Sequence, residues 1–227
     1  MPAGPWASAF LDIAISVLAP PRCSACDAPV RLMAAFCVDC ARDVEAARVD
    51  DASTIAAFLY GGPVARSIVR FKYQKRPDLA RPLGDLLWRA VEVHSEALRG
   101  AIVVPVPLHP SRLAERGYNQ AALLSQRIAR RLGVRLVARA LERCRDTPRQ
   151  VALDGVARVA NMTGAFRVSH PQLVRGQNVL LIDDVRTTGA TLISSIASLR
   201  ESGASRVATA VLAVSPSGAL LSRPGLS

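Results

Sequence analysis

Residues 179–192 read VLLIDDVRTTGATL, and this stretch decides the fold that the rest of the chain is expected to adopt. Residues 179–182 form an apolar run typical of a central strand in a parallel sheet. Asp183 and Asp184, the acid pair, are expected at the carboxyl end of that strand. The turn into the following helix consists of small and hydroxyl residues, namely Thr187, Thr188, Gly189, Ala190 and Thr191.

The turn and the acid pair together predict a binding site for a phosphorylated sugar. The first N–H groups of a helix lack partners within the helix and lie at the positive end of its dipole, so residues 187–191 can hold a phosphate. The acid pair would repel that phosphate and must bind a donor-rich part of the ligand, for which a ribose diol is suitable. Each feature alone has a simpler interpretation: the turn could contain only an N-cap threonine, and the acid pair could be ordinary turn aspartates. The combination of the two favours the ligand site.

The sequence around this stretch alternates between strand and helix patterns. A strand, a Gly-Gly turn and a helix are predicted in residues 55–76, with a second helix in residues 77–100. Apolar strands follow as AIVVPVPL (101–108), NVLLIDD (178–184) and RVATAVLAV (206–214), and helices as NQAALLSQRIARRLG (119–133) and GATLISSIASLRESG (189–203). This alternation predicts an α/β fold with a doubly wound, mostly parallel sheet over residues 51–227, of which the tail from about 215 is expected to be flexible.

The two prolines of PVP indicate where the first of these apolar strands ends. Pro105 and Pro107 are two positions apart, so both missing N–H groups lie on the same edge of the strand. We therefore expect the strand to end or bulge there and to release the chain at the carboxyl edge of the sheet. Ligands of open α/β sheets bind at that edge.

Four of the five cysteines are confined to the segment CSACDAPVRLMAAFCVDC (23–40). The spacing Cys-x2-Cys-x10-Cys-x2-Cys is typical of a structural Zn²⁺ site with four sulfur ligands, and a redox role for the Cys-x-x-Cys pairs is the less favoured alternative. The expected metal ligands are Cys23, Cys26, Cys37 and Cys40. Residues 1–50 are therefore predicted to form a separate unit, an N-terminal helix plus a four-cysteine zinc module.

The first twenty residues are apolar, but they lack a basic start and contain Asp12. We expect an amphipathic helix that packs on the body through Phe10, Ile13, Ala14 and Val17. The stretch is too short for a membrane span and lacks the pattern of a signal peptide, so no integral membrane segment and a cytoplasmic location are predicted.

The chain is strongly basic, with 29 lysines and arginines against 18 acidic residues and a net charge of +11. This balance favours anionic partners such as phosphorylated small molecules or nucleic acid, although solvated arginines account for it equally well. Only Lys72 and Lys75 are lysines, and both lie in FKYQKRPDLARPLG (71–84). Either one of them faces the ligand or the stretch is a solvated helix end, and the second interpretation is favoured.

Four motifs occur in one order between residue 23 and about residue 214: CSAC…CVDC, VPVPLHPSRLAERGYNQA, TPRQVAL…R…N…GAF and VLLIDDVRTTGAT. With these motifs the chain resembles the ComF (competence protein F) or GntX-like family of type I phosphoribosyltransferase-like proteins. The resemblance implies a type I phosphoribosyltransferase-like fold in which VLLIDDVRTTGAT binds phosphoribosyl pyrophosphate (PRPP). It also implies structural Zn²⁺ in the four-cysteine module and Mg²⁺ accompanying PRPP.

The resemblance assigns roles to particular residues. Asp183 and Asp184 are the implied catalytic and ribose-binding residues, and residues 187–191 form the implied 5′-phosphate site. Residues 143–166 correspond to a mobile catalytic loop. The implied pyrophosphate site is the loop PLHPSRLAERGYNQ (107–120), with Arg112, Arg116, Gly117, Tyr118, Asn119 and Gln120. Arginine suits phosphate because its guanidinium donates forked hydrogen bonds, and Asn119 can cap the following helix.

Two functions are compatible with these residues. The first is transfer of ribose 5-phosphate from PRPP to an unidentified acceptor, with release of pyrophosphate. The second is a non-catalytic module that handles single-stranded DNA in the transformation machinery, for which the resemblance suggests an ATP-driven DNA translocase as partner. The positive charge permits DNA binding, but the arginines are not interleaved with an aromatic stacking platform.

Overall fold

The computed structural model describes residues 20–32, 34–47, 54–145 and 164–215. The predicted N-terminal helix, the boundary near residue 50, most of the predicted catalytic loop and the predicted flexible tail lie outside these residues. Among the described residues, none of the helices combines the length and the apolar character of a membrane span.

The described elements follow the predicted alternation of strands and helices. The helices are α1 (Val38–Arg42), α2 (Gly62–Tyr73), α3 (Ala80–Glu92), α4 (Pro110–Arg116), α5 (Gln120–Leu132) and α6 (Ala190–Glu201). The strands are β1 (Thr54–Leu59), β2 (Ile102–Pro105), β3 (Leu141–Arg143), β4 (Phe166–Val168), β5 (Asn178–Arg186) and β6 (Arg206–Val214). Short 3₁₀ helices cover Pro77–Leu79 and Pro171–Leu173. The helix predicted in residues 77–100 is thus shorter than expected, because turns occupy residues 93–100.

A four-stranded sheet with the order β1-β6-β5-β2 forms the centre of the molecule, and all its neighbouring strands are parallel. Residues 135–137 extend this sheet beyond β2, since the N–H of Val103 donates to the carbonyl of Arg135 and the N–H of Val137 donates to that of Val103. β3 and β4 form a separate antiparallel ribbon. The prediction of an α/β fold with a mostly parallel sheet is therefore confirmed.

The sheet is buried on both faces, as expected for parallel strands whose connections are helices. Alternate side chains of β5 point to opposite faces of the sheet. Leu180 and Ile182 pack with side chains of α2, α3 and α5 on one face, and Val179 and Leu181 pack with side chains of α6 and the β3–β4 ribbon on the other. Residues 180–182 are fully buried, which explains the uninterrupted apolar run of the sequence.

β2 ends at Pro105, as the proline spacing predicts, after a last hydrogen bond from the N–H of Val106 to the carbonyl of Ile182 at 2.9 Å. β5 continues through Arg186, two residues beyond the expected end. The acid pair therefore lies within the last part of the strand instead of following it. The hydrogen bond between Val106 and Ile182 places the start of the loop 107–120 directly beside the acid pair.

The four-cysteine module, described over residues 20–32 and 34–47, packs against helix α2. Arg70 of α2 donates hydrogen bonds to the carbonyls of Cys23 and Ser24, both at 3.2 Å, and pairs with Asp27 at 2.8 Å. Arg76 reaches Asp27 as well, at 3.1 Å. These contacts connect the module to the body, and its division from the rest of the chain near residue 50 stays a prediction.

Candidate functional site

The two aspartates of the acid pair have different environments. Asp184 is 6 % exposed, and one of its carboxylate oxygens lies 2.7 Å from the ammonium nitrogen of Lys72 in the last turn of α2. Asp183 is half-buried and takes part in no ion pair among the described residues. Among the described residues, Asp184 is therefore the member of the acid pair in an ion pair, and Asp183 is the member outside one.

Asp183 has an unusual protonation equilibrium for a carboxyl group. The loss of hydration and, after it, repulsion by Asp184 raise its pKa to about 7. The positive charges of Lys72 and Arg143, together with the N–H of Asp184 that donates to its carboxylate at 2.8 Å, oppose this shift only in part. Near neutral pH, Asp183 can thus either donate or accept a hydrogen bond toward a hydroxyl group.

The turn between β5 and α6 contains the residues of the predicted phosphate site. Residues 187–189 bend away from the strand, and Gly189 adopts the left-handed conformation with φ of 79° immediately before Ala190, the first residue of α6. A side chain at position 189 would strain this turn. Ala190 is buried, Thr188 and Thr191 are half-buried, and Thr187 is exposed. The N-terminus of α6 therefore follows the acid pair closely in the chain, and its role in holding a phosphate stays a prediction.

The loop 107–120 contains the short helix α4 and ends at the start of α5. Gly117 closes α4 in the left-handed conformation with φ of 80°. Asn119 caps α5, as the sequence predicts, by accepting from the N–H of Ala121 at 3.0 Å, and its amide donates to the carbonyl of Val106, also at 3.0 Å. Asn119 therefore ties the end of the loop to its beginning beside β2.

Three other predicted residues of this loop contact the last turn of α2. The side chains of Tyr118 and Gln120 both donate hydrogen bonds to the carbonyl of Phe71. The guanidinium of Arg116 donates to the side-chain oxygen of Gln120 at 3.1 Å and lies 4.9 Å from the ring centre of Tyr73. Gln120 is buried, while Arg112 is half-buried. The loop and the acid pair thus meet at α2, and their roles in ligand binding stay predictions.

The four cysteines of the N-terminal module lie in one cluster. Their sulfur atoms are all within 4.8 Å of one another, and those of Cys26 and Cys37 are 3.7 Å apart. Sulfurs around a tetrahedral zinc ion are separated by about 3.8 Å, so the cluster can hold a metal ion such as zinc. Burial raises the pKa of Cys40 to about 12. Burial acts in the same direction on Cys23, but backbone hydrogen bonds from Cys37, Cys26 and Ala25 outweigh it and lower that pKa to about 7.

Comparison with known proteins places these features in one family. A phosphoribosyl transferase domain matches residues 119–224. Competence protein F of Haemophilus influenzae is 32 % identical over 192 residues, which cover 82 % of each chain. The chain belongs to the ComF family. The DNA utilization protein YhgH of Escherichia coli K12 is 34 % identical over 152 residues, or 65 % of this chain and 66 % of that protein. Competence protein ComFC of Bacillus subtilis is 26 % identical over 198 residues, or 80 % and 72 %.

Solved structures similar to this ComF-family protein include the following two. The allosteric regulatory enzyme of purine biosynthesis has 18 % identity and a TM-score of 0.44, covering 63 % of this chain and 29 % of that one. The purine phosphoribosyltransferase from Pyrococcus horikoshii has 17 % identity and a TM-score of 0.39, covering 60 % and 75 %. The family assignment rests on the sequence relatives and the matched domain.

Beside the acid pair of this ComF-family protein lies Lys72, a residue whose exposure the sequence interpretation misjudged. Lys72 was expected in a solvated helix end, which is wrong, because its side chain is only 17 % exposed and pairs with Asp184. The expectation holds for Lys75, which is exposed. One feature of the sequence could have singled out Lys72. Lysine is rare in this chain, with two lysines among the 29 basic side chains, and one of these two pairs with the acid pair.

The β3–β4 ribbon adds one further cation to the acid pair of this ComF-family protein. Arg143, the last residue of β3, lies over the ring of Phe166 at 5.7 Å and is close enough to lower the pKa of Asp183. Arg143 is also the first residue of the predicted catalytic loop, whose residues 146–163 lie outside the described part of the chain. The start of that loop is therefore beside the site.

Proposed function

We propose that this ComF-family protein binds PRPP and transfers its ribose 5-phosphate to an acceptor, with release of pyrophosphate. The observation that carries the proposal is the left-handed turn at Gly189, which brings the N-terminus of α6 next to the acid pair on a central strand. A site of this kind offers donors to a phosphate and acceptors to the hydroxyl groups of a sugar within one short stretch.

Each part of PRPP has a candidate partner in this arrangement. The N–H groups of residues 187–191 hold the 5′-phosphate, and the ribose hydroxyls donate to Asp183 and Asp184. Arg112 and Arg116, on the loop beside β2, bind the diphosphate together with Arg143. As the acceptor attacks C1 of the ribose, the bond from C1 to the diphosphate oxygen breaks, and these cations stabilise the charge on the leaving group.

The two implied metal ions fit the described residues to different degrees. The cysteine cluster suits Zn²⁺, which would give the four-cysteine module a closed four-sulfur shell and a structural role. In the stretch 179–192, the carboxylates that could bind Mg²⁺ are those of the acid pair, and the ammonium of Lys72 already pairs with Asp184 there. We therefore assign no step of the transfer to Mg²⁺ at the acid pair.

Calorimetric titration of the zinc-loaded protein with PRPP tests the proposal. We expect saturable binding with a dissociation constant on the order of 10–100 μM, and binding at least tenfold weaker in Asp183→Asn, because that change removes a carboxylate proposed to bind the ribose hydroxyls. Pyrophosphate release from PRPP in the presence of nucleobases, amines or single-stranded DNA then identifies the acceptor. Absence of heat with the folded wild-type protein would contradict PRPP binding.

A second candidate function is handling of single-stranded DNA, for which a groove lined in part by an arginine is the supporting observation. The groove has a volume of about 410 Å³ and runs along α5 and the segment after it, where it is lined by Arg130, Gly133 and Leu136. Arg130 and the neighbouring Arg135 are exposed. A DNA utilization protein and competence proteins are among the relatives. In this function the protein would act in the cytoplasm with an ATP-driven DNA translocase.

Binding of single-stranded DNA is expected to weaken steeply with salt if the arginines contact phosphates. Fluorescence anisotropy at 50 and 200 mM salt measures this, with Arg130→Glu as the groove variant and Arg99→Glu, at a residue that does not line the groove, as the charge-matched control. We expect a loss of about tenfold or more in the groove variant alone. Equal losses in both variants, or binding insensitive to salt, would contradict a DNA site in this groove.

A further inference from the structure

Lys72 lies where the acid pair, the loop 107–120 and helix α2 meet. Its ammonium nitrogen is 2.7 Å from Asp184, and the preceding residue, Phe71, supplies the carbonyl to which Tyr118 and Gln120 donate. The side chain of Lys72 is 17 % exposed and that of Asp184 is 8 % exposed. The contact is therefore an ion pair largely removed from water, at the end of the strand that carries the proposed site.

A purely structural role is a weak explanation for such a pair. Removing two charges from water is costly, and replacing a buried ion pair with apolar side chains of similar volume is often neutral or stabilising. The ion pairs of Asp27 in the four-cysteine module are made by arginines instead, through Arg70 of α2 and Arg76 just after that helix. Lysine differs from arginine in presenting one compact charge, which is the property that a small divalent cation shares.

We infer that Lys72 is a positioning residue that acts as the built-in counter-cation of the acid pair, in place of a divalent cation at those carboxylates. Its charge holds Asp184 in one orientation and reduces the repulsion between the acid pair and the phosphates of the ligand. A divalent cation entering the same carboxylates would be repelled by the ammonium group. The inference rests on the proposed function for the identity of the ligand, but its consequence for cation binding is independent of that ligand.

Titration with Mn²⁺ alone, followed by electron paramagnetic resonance, tests this consequence without PRPP. We expect Lys72→Met to bind Mn²⁺ at least tenfold more tightly than the wild type, because it exposes an uncompensated acid pair. Lys72→Arg keeps the charge and should behave as the wild type, as should Lys75→Met, the matched change at the exposed lysine. The double variant Lys72→Met, Asp184→Asn should lose the gained site. Equal Mn²⁺ affinity in Lys72→Met and the wild type would overturn the inference.

Titration with PRPP in buffer with and without Mg²⁺ tests the role toward the ligand. No chelator is used, so that the four-cysteine module keeps its metal. The wild type should bind PRPP with affinities that differ less than threefold between the two buffers, whereas Lys72→Met should bind at least tenfold more weakly without Mg²⁺ and recover when Mg²⁺ is added. Equal losses in both buffers would show that Lys72 only supports the fold. If the wild type binds no PRPP, the proposed function fails, while the Mn²⁺ result still decides the role of Lys72.

Amine acylation of the wild-type protein provides a test that needs no variant to fold. Because the chain has only two lysines, mass spectrometry can follow both side chains separately. The ion pair predicts that Lys72 reacts at least tenfold more slowly than Lys75, and that Mn²⁺ does not release it. Equal reaction rates of the two lysines, or acceleration of Lys72 by Mn²⁺, would overturn the inference.

Discussion

Asp183→Asn is expected to stabilise the protein at pH 8, whereas Asp184→Asn is expected to destabilise it. The first change removes a carboxylate whose charged form is disfavoured, since its pKa is raised to about 7. One pKa unit corresponds to about 1.4 kcal/mol, and because Asp183 keeps some contact with water we expect a gain of about 1–2 kcal/mol in the free energy of unfolding. The second change leaves the ammonium of Lys72 without its partner and should cost about 2–3 kcal/mol, somewhat less than a fully buried pair.

The gain from Asp183→Asn should depend on pH in a defined direction. In the unfolded chain Asp183 ionises near its ordinary value of 3.8, but in the folded protein it keeps its proton up to about pH 7. The folded state therefore binds more protons between these values, and the stability of the wild type falls as the pH rises through this window. The advantage of Asp183→Asn should accordingly be smaller at pH 5 than at pH 8.

Urea denaturation of the wild type and the two variants at pH 5 and pH 8, all loaded with zinc, measures these differences. Asp85→Asn, which weakens the pairs of that carboxylate with Arg127 and Arg131 away from the site, serves as a control for the loss of an ion pair. An advantage of Asp183→Asn that is equal at both pH values would contradict the raised pKa. A stabilising effect of Asp184→Asn would contradict the ion pair with Lys72.

Loss of one cysteine of the cluster is expected to remove the bound metal and to unfold the four-cysteine module. Cys40→Ser should reduce the zinc content from about one ion per chain to less than about 0.2, because three sulfurs leave the tetrahedral shell incomplete. Structural zinc contributes on the order of 10 kcal/mol to the folding of small zinc modules, so the module has little stability without it. Arg70 would then lose its hydrogen bonds to the carbonyls of Cys23 and Ser24.

Metal analysis by inductively coupled plasma mass spectrometry, together with hydrogen exchange over residues 23–40, checks this expectation. Cys144→Ser is the matched control, since Cys144 is an exposed cysteine outside the cluster. It should keep its zinc and its protection from exchange. Zinc retained in Cys40→Ser, or a wild type that contains no metal after expression with zinc, would refute the assignment of the cluster as a zinc site.

Local features of the site could be predicted because short-range physical rules govern them. The capping of α5 by Asn119 and the turn of small residues into α6 depend on the properties of residues close together in the chain. The spacing of the four cysteines likewise predicted one cluster of sulfur atoms. The end of β5 was placed two residues too early, because Asp183 and Asp184 suggested a turn while pairing with β6 extends the strand to Arg186.

By itself, the amino-acid sequence determined the alternation of strands and helices, the turn beside the acid pair and the grouping of the cysteines, because residues near each other in the chain create these features. Only the tertiary structure decided which distant groups meet. It brought Lys72 to Asp184, placed Arg116 against Tyr73 and joined Arg70 to the four-cysteine module. Helix α2 makes all three contacts, and its position is set by packing on the face of the sheet, which no local pattern in residues 62–73 specifies.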